Sequence, residues 1–366
     1  MRIVLTGGGT GGHIVPLVAV AEKIKEKAPD CEFIFVGPKG DLEKKLMDAQ
    51  GIPTKGVMAG KMRRYFSFWH FVDIFKIPIG IIQALWHLLW LMPDAIFSKG
   101  GYASFPVVFV GWLYRIPIMI HESDANPGLA NSVLAKFSER VAVSYSQAEI
   151  YFPASQVVLT GSPLRSDIAA GDAVRAREMF HFTDSKKVIF VVGGSLGARS
   201  INNKIIEILP ELLRKYQVIH QTGQNNIEEV KQRAGEQGIK AEHGGYFPLA
   251  FYGDEIKDIL AMADLVISRA GASTISEIAA NRKPSILIPL ETAANNHQRM
   301  NAYAIAKTGG CVVLEENNMG HNMLIEKIEE IMNDDKLREK LSQNIKAFYH
   351  PDAAEKIAEG ILGMIK

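Results

Sequence analysis

One unit constrains this chain more than any other: a short apolar strand, a glycine loop and a helix, met at the start and again past the midpoint. Arg2-Ile3-Val4-Leu5-Thr6 is short and apolar, as a buried parallel strand is. Gly7-Gly8-Gly9-Thr10-Gly11-Gly12 follows, and a helix starts near His13 and Pro16, with Val15, Val18, Ala19, Glu22 and Ile24 at roughly helical spacing. Such a loop lets a ligand reach the backbone, and the helix start aims unpaired N–H groups and a partial positive charge at it. Lys186 to Val192, Gly193-Gly194-Ser195-Leu196-Gly197-Ala198 and a helix through Leu213 repeat the pattern, which predicts two similarly built domains.

The first loop fits G-x-G-x-x-G through Gly7, Gly9 and Gly12. A dinucleotide site also needs an acidic residue closing the second strand. Phe33-Ile34-Phe35-Val36 ends instead in Gly37-Pro38-Lys39, with Asp41 late, which argues against NAD. A tight turn without ligand is the alternative.

The 366 residues favour two domains, and 47% hydrophobic with 22% charged residues describes a folded protein with large cores. A net charge of +1 gives no global field for nucleic acid. Cys31 and Cys311 form no C-x-x-C pair and read as buried reduced thiols. The N-terminal apolar run is too short for a signal peptide, which predicts a cytoplasmic protein.

Strands alternate with helices through the first part, predicting a parallel sheet covered on both faces. Ala95–Ser98 runs into Lys99-Gly100-Gly101, and Ile116–Ile120 ends at His121-Glu122-Ser123-Asp124. Polar residues at such strand ends are where open α/β sheets bind ligands. Between these units, Lys61, Arg63 and Arg64 lead into Tyr65 to Phe71, and Ile77 to Met92 is almost wholly apolar. Asp73, Lys76, Pro78, Gln83 and His87 interrupt that run, short of the roughly 20 apolar residues of a membrane span. Ile81 to Leu91 is expected to be a core helix. Lys61 to Lys76, aromatic and basic, fits the interface of an anionic membrane.

Gly271-Ala272-Ser273-Thr274-Ile275-Ser276-Glu277 is the most informative later motif. A glycine before a helix start suits a diphosphate, Ser273 and Thr274 add hydroxyls, and Glu277 can accept from a ribose. The alternative is a capping box, Thr274-x-x-Glu277. Ser195 offers another phosphate or sugar donor, although Gly193 to Gly197 also matches the hydrolase string G-x-S-x-G. His13, at a helix start whose dipole disfavours imidazolium, has the neutral state a general base needs. His121, Glu122 and Asp124 are close in sequence but lack convincing metal spacing, so no metal site is expected.

With these motifs in order, the chain resembles the MurG family of UDP-N-acetylglucosamine–N-acetylmuramyl-(pentapeptide) pyrophosphoryl-undecaprenol N-acetylglucosamine transferases. The resemblance rests on GGGTGGH (Gly7–His13), SKGGYASFP (Ser98–Pro106), HES with PGLAN (His121–Asn131), GSPLR (Gly161–Arg165), GGSLGA (Gly193–Ala198), ISRAGASTISEIAA (Ile267–Ala280) and HQRMNA (His297–Ala302). It implies an α/β, GT-B fold of two Rossmann-like domains with an interdomain cleft. The acceptor and membrane-facing domain would be 1–163 plus the C-terminal helix 350–366, and the UDP-GlcNAc-binding domain 164–349. By the same resemblance Ser195, Ala272 to Glu277 and Gln298 contact the donor, with Thr10, Gly11, Gly12 and Arg165 at further donor-binding positions. His13 maps to a histidine proposed to deprotonate the acceptor hydroxyl. The acceptor would be lipid I, undecaprenyl-pyrophosphoryl-MurNAc-peptide, met peripherally at the cytoplasmic face of the cell membrane.

The family commonly reads HEQN where this chain has His121-Glu122-Ser123-Asp124, and often Gln-Gln where it has His297-Gln298. Asp124 thus puts a carboxylate in place of an amide, and can itself serve as base. The expected reaction is an inverting transfer to the 4-hydroxyl of MurNAc, giving lipid II. Helix N-termini and hydroxyls would stabilise the departing diphosphate, with no cofactor or catalytic metal required. A UDP-GlcNAc epimerase, a transferase with another lipid acceptor, an NAD oxidoreductase and a non-catalytic nucleotide-sugar-binding subunit are the competing readings.

Overall fold

The computed structural model describes residues 1–8, 11–60, 69–194 and 196–365. The chain forms two compact bodies, one of Met1–Arg165 with the chain from His350 onward, the other of Ser166–Tyr349. Each is a doubly wound parallel sheet.

The first sheet contains β1 (Arg2–Thr6), β2 (Glu32–Gly37), β3 (Thr54–Gly56), β4 (Ala95–Ser98), β5 (Ile118–Glu122), β6 (Arg140–Val143) and β7 (Val157–Leu159), in the order β3-β2-β1-β4-β5-β6-β7. The second contains β8 (Lys187–Val192), β9 (Tyr216–Gln221), β10 (Tyr246–Leu249), β11 (Leu265–Ser268), β12 (Ser285–Leu287) and β13 (Val312–Val313), in the order β10-β9-β8-β11-β12-β13. Every strand pair in both sheets is parallel. Both orders reverse direction after their first strand, at β1/β4 and at β8/β11. That reversal opens a crevice beyond the carboxyl ends of the strands.

The alternation along β1 shows why its sequence is apolar throughout. Ile3 and Leu5 face one core with Ile14 and Leu17 of the helix Gly11–Lys27, while Val4 faces the opposite core with Ala84, Leu88 and Val107. Side chains alternate across a pleated strand, and both faces are covered, so neither can be polar. In the second body Ile189, Val191, Leu265 and Ile267 pack against Ile201, Ile205 and Leu209 of the helix Arg199–Lys215.

The last helix, Ala353–Met364, returns to the first body. Its Ile357, Ala358 and Ile361 are fully buried in the core that holds Ile3 and Leu5. Lys27 bridges to Glu355 and Glu359 across the rim of that contact.

The helix Trp69–Leu91 departs from expectation. The sequence expects a core helix over Ile81 to Leu91, with Gln83 and His87 breaking its apolar run; both of these polar residues turn inward. Gln83 Oε1 accepts from the Met58 N–H at 2.7 Å, and His87 Nε2 lies 3.3 Å from Gly56 O. Ala84 and Leu88 are buried beside them, while Ile79, Ile82, Trp86, Leu89 and Trp90 are exposed. Trp86 and Trp90 pack edge to face at 5.7 Å. The apolar face continues onto Trp112, Leu113 and Tyr114, all exposed, with the Tyr114 hydroxyl 3.4 Å from Leu85 O. Ile81 to Leu91 is therefore not simply core. Edge-strand backbone groups need partners, and the two polar side chains supply them, leaving the aromatic side outward. Among the described residues no helix is long and apolar enough to cross a membrane. Of the aromatic-basic stretch, residues 61–68 lie outside the described residues.

Candidate active site

In the first body the functional side chains gather beyond β1, β4 and β5. His13 lies in the first turn of the helix Gly11–Lys27, directly after the opening glycines. A Cβ built on Gly101 would stand 3.6 Å from His13 Nε2 and 3.1 Å from Gly8 O, and Gly101 has φ +85°, so only glycine fits between imidazole and loop comfortably. His13 keeps part of its surface open, yet protein surrounds most of it, and its pKa falls to about 4. Burial is the main cause and the Lys99 charge the second. The ring is neutral, as the sequence suggests, with these two named causes in addition to any pull from the helix dipole.

Lys99 follows β4 directly and is 3% exposed. Its Nζ donates to Ser123 Oγ at 2.9 Å, and its charge reaches His13, Glu122 and Asp124. Glu122, also 3% exposed, is a clasp for the loop after β5. Its Oε1 accepts from the Asp124 N–H at 2.9 Å, and its Oε2 from Gly128 N at 3.1 Å and Asn131 Nδ2 at 3.0 Å. Burial and then the Asp124 charge push its pKa up to about 7. His121 lies on the opposite face of β5, fully buried, with Nε2 3.1 Å from Gly161 O and 3.2 Å from Ser144 Oγ. Consecutive strand residues face opposite ways, so His121 and Glu122 do not converge on an ion. Among the described residues no group of His, Cys, Asp and Glu has the arrangement of a metal site.

The second body repeats the plan. The helix Ala272–Ala280 begins directly after Gly271, which is extended and gives no side-chain cap. Thr274 is the third helical residue and Glu277 the sixth, so the capping-box alternative is wrong: a capping box needs the hydroxyl at the residue before the helix. Among the described residues no side chain caps the first-turn N–H groups of Ala272, Ser273 and Thr274, which follow β11. Ile275 buries its side chain and gives its N–H to Gly271 O, and Ser276 donates its hydroxyl to Ala272 O, so these two are occupied by the helix itself. Glu277 is half-buried, and its charge, after burial, raises the Tyr252 hydroxyl pKa well above its ordinary value. Gln298 is the second residue of the helix His297–Ala306 and accepts from the Leu290 N–H at 3.0 Å through Oε1. Asn301 on the same helix donates to Ala270 O at 3.2 Å, tying it to the loop before Gly271.

Arg269 anchors that loop. It is buried, forms a two-pronged pair with Glu316 at 2.8 and 3.1 Å, and reaches Ser200 Oγ at 2.8 Å. The glycine loop after β8 lies alongside: Gly193 N–H donates to Gln221 Oε1 at 3.1 Å, and Gly197, at φ +75°, leaves 1.9 Å between a built Cβ and Thr222 O. His220 in the neighbouring β9 is no hydrolase base. Its ring nitrogens meet Tyr246 OH at 3.0 Å and Asn202 Oδ1 at 3.1 Å, and burial pulls its pKa to about 3.

Thr10 and Ser195 lie outside the described residues, Gly11 and Gly12 open the first helix, and Arg165 is half-buried at the end of the first body's main segment. The structure thus groups Gly12, His13 and Asp124 in one body, and Ala272–Glu277 with Gln298 in the other. Sequence reasoning missed Lys99, Glu122 and Arg269. A signal was available for two of them: Lys99 and Arg269 each follow an apolar strand directly, with a glycine one or two residues on, and β4 and β11 hold the same place in the two sheet orders.

Two such sheets define a class. Residues 3–143 match the glycosyltransferase family 28 N-terminal domain and residues 188–357 the glycosyltransferase family 28 C-terminal domain, so this is a glycosyltransferase of the α/β GT-B fold. A protein named UDP-N-acetylglucosamine–N-acetylmuramyl-(pentapeptide) pyrophosphoryl-undecaprenol N-acetylglucosamine transferase 2, from Bacillus anthracis, is 39% identical over 90% of this chain and 91% of its own length. Its Clostridium perfringens counterpart is 38% identical, covering 94% and 93% of the two chains. The crystal structure of Acinetobacter baumannii MurG superposes with TM-score 0.75 at 25% identity, covering 99% of each chain. The chain belongs to the MurG family. A UDP-GlcNAc 2-epimerase from Neisseria meningitidis superposes with TM-score 0.70 at 11% identity, over 99% of this chain and 100% of its own, and shares the fold alone.

Proposed function

We propose that this protein transfers GlcNAc from UDP-GlcNAc to the 4-hydroxyl of MurNAc in lipid I, forming lipid II for peptidoglycan synthesis. Uncapped N–H groups at the start of Ala272–Ala280 suit the donor diphosphate, and Glu277 the ribose. Gln298 and Ser195 complete the donor set, with Thr10, Gly11, Gly12 and Arg165 as further contacts. His13 and Asp124 are the candidate bases. The hydroxyl oxygen attacks the anomeric carbon from the side opposite the diphosphate, and negative charge growing on UDP is met by fixed dipoles. Domain 164–349 holds the donor, and domain 1–163 with 350–366 receives the acceptor.

One observation favours transfer to a lipid over epimerisation of a soluble sugar: the outward apolar face of Ile82, Trp86, Leu89 and Trp90, continued by Trp112 and Leu113. An epimerase has no use for such a face. A peripheral enzyme reaching a polyprenyl-linked acceptor at the cytoplasmic membrane surface does, because aromatic rings rest well at the interface. The test is transfer of radiolabelled GlcNAc from UDP-GlcNAc to a lipid I analogue. Retained UDP binding with no transfer to that acceptor would overturn the reading.

A further inference from the structure

Lys99 and Arg269 stand at equivalent places in the two sheets, each a buried cation after the strand beyond the reversal point. Arg269 is neutralised directly by the two oxygens of Glu316. Lys99 is not matched in this way. Its neighbour Glu122 spends both oxygens on Asp124 N, Gly128 N and Asn131 Nδ2, and the Lys99 ammonium is tied to the Ser123 hydroxyl instead. Ser123 sits between the two carboxylates in sequence, so the tether fixes the turn that carries both. Glu122 is locked inward. Asp124 is only partly buried.

Resting on the transfer reaction proposed above, we infer that Lys99 is a positioning residue for it: through Ser123 it holds the turn presenting Asp124, and its charge balances the carboxylate that this chain carries there. Asp124 is then the group that takes the acceptor proton. As the hydroxyl oxygen bonds the anomeric carbon, its proton passes to the Asp124 carboxylate, and the carbon–oxygen bond to UDP breaks with its electron pair going to the diphosphate. His13 suits this role less well. It shares its surroundings with the Lys99 cation, which together with burial opposes protonation of the ring. His13 remains a neutral hydrogen-bonding group beside the reacting oxygen.

The test is a double-mutant cycle in the full chain, with Lys99→Met and Asp124→Asn singly and together, assayed with UDP-GlcNAc and a lipid I analogue. Lys99→Met is expected to lower kcat about 10- to 100-fold while KM for UDP-GlcNAc stays within about twofold. In the Asp124→Asn background the same change costs less than about threefold, because the charge it balanced is gone. Ser123→Ala removes only the tether and is expected to lower kcat about 3- to 10-fold. It keeps the test open should Lys99→Met fail to fold. Single effects that multiply, or a Lys99→Met defect confined to KM for UDP-GlcNAc, overturn the inference. Urea midpoints of the same four proteins separate it from the transfer reading. If the wild type binds UDP but transfers nothing, the reaction is wrong, while equal loss of stability from Lys99→Met with and without Asp124 overturns the charge pairing itself.

Discussion

Trp86→Ala with Trp90→Ala strips the outer aromatic pair from the helix Trp69–Leu91 without touching either strand-end cluster. Trp86 is 61% exposed and Trp90 67%, and the rings meet at 5.7 Å. A tryptophan offers up to about 250 Å², so each leaves roughly 150 Å² for a partner. At about 25 cal/mol per Å², complete burial of that area is worth ~4 kcal/mol. A ring resting at the headgroup level loses roughly half of it to water, giving about 2 kcal/mol, or about 30-fold in partitioning. The two rings touch, so their losses are not additive, and a combined fall of about 100-fold is expected. Sedimentation with phospholipid vesicles reads the partition coefficient. Turnover of a water-soluble acceptor analogue and the melting temperature should both stay near wild type, since exposed side chains contribute little to the fold. Vesicle binding reduced less than about threefold would refute the assignment of this face to a membrane.

Thr274→Ala separates ligand binding from capping. Loss of a true N-cap costs about 1 kcal/mol of stability; at the third helical position we expect almost no change in melting temperature but weaker UDP binding by calorimetry. Ile361→Ala opens a cavity between the last helix and the rest of the first body and should destabilise the protein by about 2–5 kcal/mol in urea unfolding. Lys27→Ala, on the exposed rim of the same contact, should leave the midpoint close to wild type. His220 has its pKa pulled from 6.5 to about 3, so the unfolded chain binds a proton there that the native state refuses. Its contribution is present above pH 6.5 and is lost as pH falls towards 3, by about 2 kcal/mol between pH 7 and 5. In His220→Gln the stability difference between those two pH values should change by that amount, whatever its absolute stability.

Much of the proposed donor half was readable without coordinates. Gly271 before a run of helix formers announces a helix start, and nothing distant is needed to decide it. Yet the choice between a capping box and an open helix start turned on where the first helical residue falls, one after Gly271. Thr274-x-x-Glu277 has the right letters either way. Gln83 and His87 ruled out a membrane span correctly but hid their own role. In a linear reading they break an apolar run. In the fold they satisfy the backbone of the neighbouring edge segment, and the tryptophans take the outside. Lys99 stayed hidden because a lysine after a strand reads as a solvated surface charge. In the fold it is buried, with its ammonium on the Ser123 hydroxyl just after β5.

The sequence by itself determined the alternation of apolar strands, glycine loops and helices, and with it the two doubly wound sheets and the ends at which ligands bind. Those features are local: a strand covered on both faces is apolar along its middle, with polar residues kept to its ends or to internal hydrogen bonds, and a chain turning from strand to helix within a few residues needs glycine. Only the tertiary structure decided which charges meet. Lys99 and Ser123 are 24 residues apart, Arg269 and Glu316 47, and their encounters depend on strand order and register, which long-range packing sets. The same packing decided which side of Trp69–Leu91 faces outward, because that depends on the partner the helix covers.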